Sequence, residues 1–145
     1  MIANANITRY TRWLSDTKKL DFRNYEALRN WSVDHLDDFW ESIWQYFDIM
    51  HDGEYRSVIS GDKMYNTSWF EGTSLNYAEH IFRGAKESNP AVIFKTEARD
   101  ITEVPWNELQ ENVAALQNTL RAKNVGKGDC VVAYVPCTPE ATIAM

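Results

Sequence analysis

Cysteine is scarce in this chain: Cys130 and Cys137 are the only two among 145 residues. Neither a disulfide framework nor a metal motif uses two cysteines at that spacing alone, so both are expected to be buried, reduced thiols of a cytosolic protein. Histidine is equally sparse. His35, His51 and His80 lie far apart, without the short spacings that let two imidazoles share a metal, and each reads as a surface or helix-face residue. No apolar run approaches the roughly 20 residues that cross a bilayer. The first six residues, Met-Ile-Ala-Asn-Ala-Asn, lack the basic segment and apolar stretch of an export leader. Positive charge is short too: 15 Lys and Arg against 21 Asp and Glu give a net charge of −6. Without a basic stripe, phosphate backbones and anionic lipid are both poor partners, which argues against nucleic acid and membrane docking.

An apolar share of 44% and a charged share of 25% are those of an ordinary globular domain. The unusual feature is aromatic content. Six Trp, seven Tyr and six Phe crowd mainly into the first half of the chain, where such rings either build a core or face another surface.

Short helical hints run from Asn6 to Leu14. A clearer helix is predicted from Ser32, with Ser32 as N-cap, Asp34 in the first turn, and Val33, Leu36, Phe39, Trp40, Ile43, Trp44 and Phe47 as one apolar stripe. Asp37, Asp38, Glu41, Ser42 and Gln45 then form its solvated face. Residues 55–59 suggest a short extended piece between turns at Gly53 and Gly61. A second helix is expected from Thr73 or Ser74, with Leu75, Ala78, Ile81 and Phe82 apolar and Gly84 at its C-terminus. The polar run 86–90, ending in Pro90, is the best module boundary.

Beyond Pro90 strands and helices alternate. Residues 91–95 and 101–104 read as a hairpin across Ala98-Arg99-Asp100. Leu109, Val113, Leu116 and Leu120 mark a helix. Residues 130–135, β-rich and nearly all apolar, predict a strand buried on both faces of a parallel sheet. Thr138, Pro139 and Glu140 then open a last helix, which is short for one that must stand alone. The expected architecture is therefore mixed α/β: a helical extension over 1–89, followed at 90–145 by the opening elements of a larger, truncated domain.

Few residues invite chemistry. Gly126-Lys127-Gly128 has glycines suited to a phosphate, but the order is helix, glycines, strand, the reverse of a phosphate loop; a glycine C-cap and turn is the better reading. Residues 135–139 have the strand-to-helix order of ligand-binding loops, but Pro136 and Pro139 remove two N–H donors. The carboxylates of the Ser32 helix lack anything to separate their proton affinities, and no serine or cysteine has a base beside it in sequence. No catalytic, cofactor-binding or metal-binding residue is assigned.

Trp31-Ser32-Val33-Asp34, Phe39-Trp40-Glu41-Ser42-Ile43-Trp44 and Trp69-Phe70-Glu71-Gly72-Thr73-Ser74-Leu75-Asn76-Tyr77-Ala78-Glu79 resemble the amino-terminal extension of the acetoacetate–CoA ligases. Trp106-Asn107-Glu108-Leu109, Val125-Gly126-Lys127-Gly128-Asp129, Val135-Pro136 and Pro139-Glu140-Ala141 are similar to the start of the large domain in adenylate-forming enzymes generally. Two positions depart from the pattern. Pro105 replaces the usual hydroxyl cap, which shifts the expected cap to Asn107, and Cys137 stands where Asn or Met is common. The resemblance implies a longer cytoplasmic enzyme that uses ATP, magnesium and CoA to convert acetoacetate to its thioester through an acyl-adenylate. Its pyrophosphate loop, acidic groups and lysine would lie beyond Met145, so the fragment alone is expected to be inactive. Trp69, Phe70, Leu75 and Asn76 would anchor the extension to the large domain, and residues 131–135 would give one core strand. An acetate or propionate ligase is the nearby alternative. A non-enzymatic module that buries the Trp40 and Trp44 face in a partner is the distant one.

Overall fold

The computed structural model describes residues 4–145, so the first three positions of the expected extension lie outside the described residues. The chain divides into two compact units, the first ending at Asn76 and the second running Tyr77–Met145.

The first unit opens with α1 (Asn6–Trp13), which runs into a widened turn, Leu14–Lys18. Lys19 stops it by adopting a left-handed φ of 60°. Helix α2 (Tyr25–Asp34) is capped by Asn24, whose side chain accepts from the Ala27 N–H at 2.9 Å. The chain breaks at His35 (φ −130°, ψ 65°) and resumes as α3 (Leu36–Tyr46). Tyr10, Leu14 and Leu28 make the buried centre, with Trp13, Trp31 and Phe39 packed on it.

The cap expected at Ser32 therefore lies three residues later, at His35. Ser32 sits inside α2, where its hydroxyl donates back to the Arg29 carbonyl at 2.8 Å instead of capping. Asn24 takes the capping role upstream. Val33, Leu36 and Phe47, assigned to the apolar stripe, are exposed, whereas Phe39, Ile43 and Trp44 do pack inward. Ser42, assigned to the solvated face, is only 1% exposed. Its hydroxyl donates to the Phe39 carbonyl at 2.6 Å, so the Tyr10 hydroxyl, also 2.6 Å away, must be the donor to Ser42 Oγ. Burial pushes the Tyr10 phenol up, and the Ser42 hydrogen bond opposes that only in part. Ser42→Ala should cost about 1–3 kcal/mol because it strands a buried hydroxyl, while Tyr10→Phe, which leaves Ser42 bonded to Phe39, should cost about 1 kcal/mol. Urea titrations of the two variants compare them directly.

After α3 the chain forms an irregular antiparallel ribbon. Asp52 and Ser74 exchange two backbone hydrogen bonds at 3.0 Å, and further bonds join Arg56 to Glu71 and Val58 to Phe70. The regular part is β1 (Ile59–Ser60) against β2 (Ser68–Trp69), with Ile59 opposite Trp69. The extended piece expected at 55–59 is thus the outgoing arm of this ribbon.

In the second unit, α4 (Tyr77–Arg83) starts three or four residues later than expected, because Thr73 and Ser74 are held in the ribbon. Gly84 follows it, its N–H on the Ile81 carbonyl at 3.0 Å. The hairpin forms as read: β3 (Val92–Phe94) pairs antiparallel with β4 (Thr102–Val104), Val92 opposite Val104. Helix α5 (Trp106–Ala122) begins directly after Pro105, so Asn107 is not its cap. Proline before the first turn removes no needed donor, which makes a shifted cap unnecessary. Val104 on β4 and Leu109 on α5 are buried. Helix α6 (Pro139–Ala144) carries Pro139 in its first turn, as expected.

The strand foreseen at 130–135 is corrected. Those residues have no strand partner among the described residues, and Val132 is 88% exposed. A strand is stable only with a ladder beside it, and an all-apolar one needs cover on both faces as well. Cys130 and Cys137 flank this segment and are exposed rather than buried.

Candidate functional site

A cluster of aromatic side chains lies between α3 and the ribbon. Trp44 stacks on Phe70 with ring centroids 4.1 Å apart, and Tyr55 stands edge-on to both. His51, singled out as one of three isolated histidines, tilts against the Trp44 ring at 4.9 Å and contacts the Gly53 carbonyl through Nδ1 at 3.0 Å. Trp40 and Trp69 meet edge to face at 5.4 Å. Beside these rings is an open apolar cup of about 430 Å³, walled by Trp40, Ile43 and Trp44 from α3 and by Trp69, Phe70 and Leu75.

Two glycines let the ribbon close under this cup. Gly53 (φ 80°) and Gly72 (φ 109°) face each other so tightly that a Cβ on Gly72 would lie 2.6 Å from the Glu54 carbonyl oxygen. Phe70 itself adopts a left-handed φ of 46°. Its ring stacks on Trp44 and is buried within the first unit. Trp69 and Leu75 remain exposed.

Glu41, placed on a solvated face, is instead a hub. Its carboxylate accepts from the Tyr55 hydroxyl at 2.8 Å and lies 3.6 Å from the Lys18 ammonium. The negative acceptor, more than burial, pushes the Tyr55 phenol up.

The glycine turn at 126–128 sits at the end of α5. Asn124, with φ 61°, occupies the left-handed position there, so asparagine rather than glycine ends the helix. The Gly126 N–H donates to the Asp129 carboxylate at 2.7 Å. A donor already satisfied by a fixed anion repels phosphate, which argues against a nucleotide site at this turn. At the 135–139 turn, the Thr138 hydroxyl serves the Glu140 carboxylate. That bond, with the backbone and Arg99 at 3.3 Å, holds Glu140 below the ordinary range. Phosphate would meet a carboxylate here as well. Among the described residues no group of three or more His, Cys, Asp or Glu is arranged around a metal position. No described helix is long and apolar enough to cross a membrane. No reaction step is assigned to the described residues.

What the sequence reading missed is the role of the glycines. Asp52-Gly53, Gly61-Asp62 and Glu71-Gly72 are turn dipeptides around an aromatic run, a signal of a closed ribbon rather than of separate turns.

Residues 25–81 match the family described as acetyl-coenzyme A synthetase N-terminus. The acetoacetyl-coenzyme A synthetase of Rhizobium meliloti is 30% identical over 145 residues, covering 100% of this chain and 22% of that protein. The acetoacetyl-CoA synthetase of Macaca fascicularis is 32% identical, over 98% of this chain and 22% of its own length. A solved structure, the acetoacetyl-CoA synthetase from Streptomyces lividans, superposes with a TM-score of 0.89 at 38% identity, over 99% of this chain and 23% of that one. The chain thus spans about a fifth of the length of the curated relatives it matches.

Proposed function

Because this chain is, along its whole length, the counterpart of the amino-terminal portion of acetoacetyl-CoA synthetases, we propose that it serves as the non-catalytic opening of an acid–CoA ligase. The complete enzyme would join acetoacetate to CoA with ATP and magnesium, through an acyl-adenylate, releasing pyrophosphate and AMP. The observation that carries this reading is the match to the Streptomyces lividans structure, which covers the described helices, ribbon and hairpin together.

In this reading residues 1–89 are the extension and residues 90–145 begin the adenylation domain. The apolar segment 130–135 becomes a sheet strand only when further strands pair with it, which accounts for its exposure here. Catalytic, nucleotide and metal groups belong to the polypeptide beyond Met145. Two exposed thiols stay reduced most readily in the cytoplasm, where we place the protein. A second reading, an acetate-type ligase, is favoured by the family matched at residues 25–81. The acid pocket, which would decide between the two, belongs in this reading to polypeptide outside these 145 residues.

Purified residues 1–145 should release no pyrophosphate above background when given ATP, CoA and acetoacetate. The longer polypeptide should do so with acetoacetate in preference to acetate. A coupled pyrophosphate assay checks both. Turnover by the short chain would sink the scaffold role, and acetate preference would move the enzyme to the second reading.

A further inference from the structure

Helix α6 has little of its own to hold it. It is six residues long, no side chain caps it, and Pro139 is its one buried residue. Its first turn is loose, with the Thr142 N–H nitrogen 3.4 Å from the Thr138 carbonyl. Between the hairpin, α5 and α6 lies a hollow of about 290 Å³, lined by Phe94, Val104, Asn112 and Ile143 together with Arg99 and Glu140. A helix this short does not persist in water on its own backbone bonds.

Helix α5 packs beside it, and one side chain reaches it from the hairpin turn, 41 positions earlier in the chain. Arg99 Nη1 donates to Glu140 Oε1 at 3.3 Å, and its guanidinium lies 5.9 Å from the centre of the Phe94 ring. The turn that carries Arg99 is fixed. Thr96 Oγ1 accepts from the Ala98 and Arg99 N–H groups at 3.2 and 3.0 Å, and the Thr96 N–H donates to the Arg99 carbonyl at 3.2 Å. An arginine whose backbone is already held gives up less freedom on reaching across.

The stretch before α6 makes this attachment consequential. Residues 130–135 have no strand partner among the described residues, and upstream they are tied to the end of α5 by the bond between Gly126 and Asp129. With α6 in place the stretch is held at both ends; without it, residues 130–145 hang from one. We infer that Arg99 is a clasp that makes this stretch a two-state strap. In the closed state Arg99 engages Glu140 and α6 is helical. In the open state α6 unwinds and the strap swings from its Asp129 end. The clasp belongs to the second unit alone and does not rest on the ligase reading.

Magnitudes decide whether so slight a contact can act this way. Both side chains are more than half exposed, where an ion pair adds little to a helix that is already stable. A six-residue helix is near balance with coil, so the same small contribution shifts its open population by about fivefold.

Hydrogen exchange of residues 1–145, read by mass spectrometry on the peptide that spans α6, tests the clasp. Arg99→Gln should speed exchange in α6 about fivefold and leave the hairpin and α5 unchanged. In a Glu140→Gln background the same substitution should add nothing, because the pair is already broken. High salt should quicken exchange in the unsubstituted chain, by screening the pair, but not in Arg99→Gln. Unchanged exchange in Arg99→Gln would overturn the inference, as would an effect that persists in full in the Glu140→Gln background. Exchange of α6 at the rate of an unstructured peptide in the unsubstituted chain would overturn it too, since no closed state would then exist. Equal acceleration in the hairpin and α5 would make Arg99 a prop of the whole unit and would count equally against a strap.

Discussion

Gly72→Ala is expected to destabilise the first unit by about 2–4 kcal/mol, through two penalties that share a cause. At φ 109° an L side chain is strained, and the new Cβ would press against backbone, 2.6 Å from the Glu54 carbonyl oxygen. Backbone cannot swing aside as a side chain can, so relief requires opening the ribbon that Asp52, Arg56 and Val58 hold closed against Ser74, Glu71 and Phe70. Gly126→Ala is the control. It has nothing within 4 Å and an ordinary φ, so it should be neutral or slightly stabilising, by up to about 1 kcal/mol, because alanine narrows the unfolded ensemble. Urea unfolding followed by circular dichroism measures both. Equal midpoints for the two variants would mean that the ribbon is not the closed element described.

Trp44→Ala should be about as damaging, at roughly 3–5 kcal/mol, the range for removing a buried large aromatic. Trp44 is 8% exposed and contacts Phe70, Tyr55 and His51, so its loss leaves a cavity with three rings around it. Trp40, one turn earlier on α3, is 39% exposed and meets mainly Trp69 and Phe39. Trp40→Ala should cost about 1–2 kcal/mol, because less area returns to water. The contrast also bears on the idea of a Trp40/Trp44 face offered jointly to a partner. Trp44 is already consumed by its own unit, and only Trp40 has surface to offer. Thermal melts of the two variants at equal concentration should rank Trp44→Ala well below Trp40→Ala.

Local chemistry was legible wherever it acts within a few residues. The hairpin at 92–104, the apolar spacing along α5 and the proline opening of α6 depend on alternation, helical period and a fixed φ, and all three stand in the structure. The start of α3 was misread for an equally local reason. Ser32 is an acceptable cap by type, but it lies inside α2, which Asn24 caps, and α3 starts after the break at His35 with no side-chain cap, which single residues do not reveal.

By itself the sequence determined the class of molecule: acidic, aromatic-rich, poor in metal-binding and nucleophilic groupings, and patterned like the front of an acid–CoA ligase. Tertiary structure alone decided which polar groups lie inside and which apolar ones lie outside. Ser42 is buried because Tyr10, 32 positions away, brings it a proton. Glu41 is a hub because Lys18 and Tyr55 converge on it from either side. Residues 130–135 stay exposed because burial of a strand is a property of its neighbours, and its own side chains, however apolar, cannot supply the ladder or the covering faces.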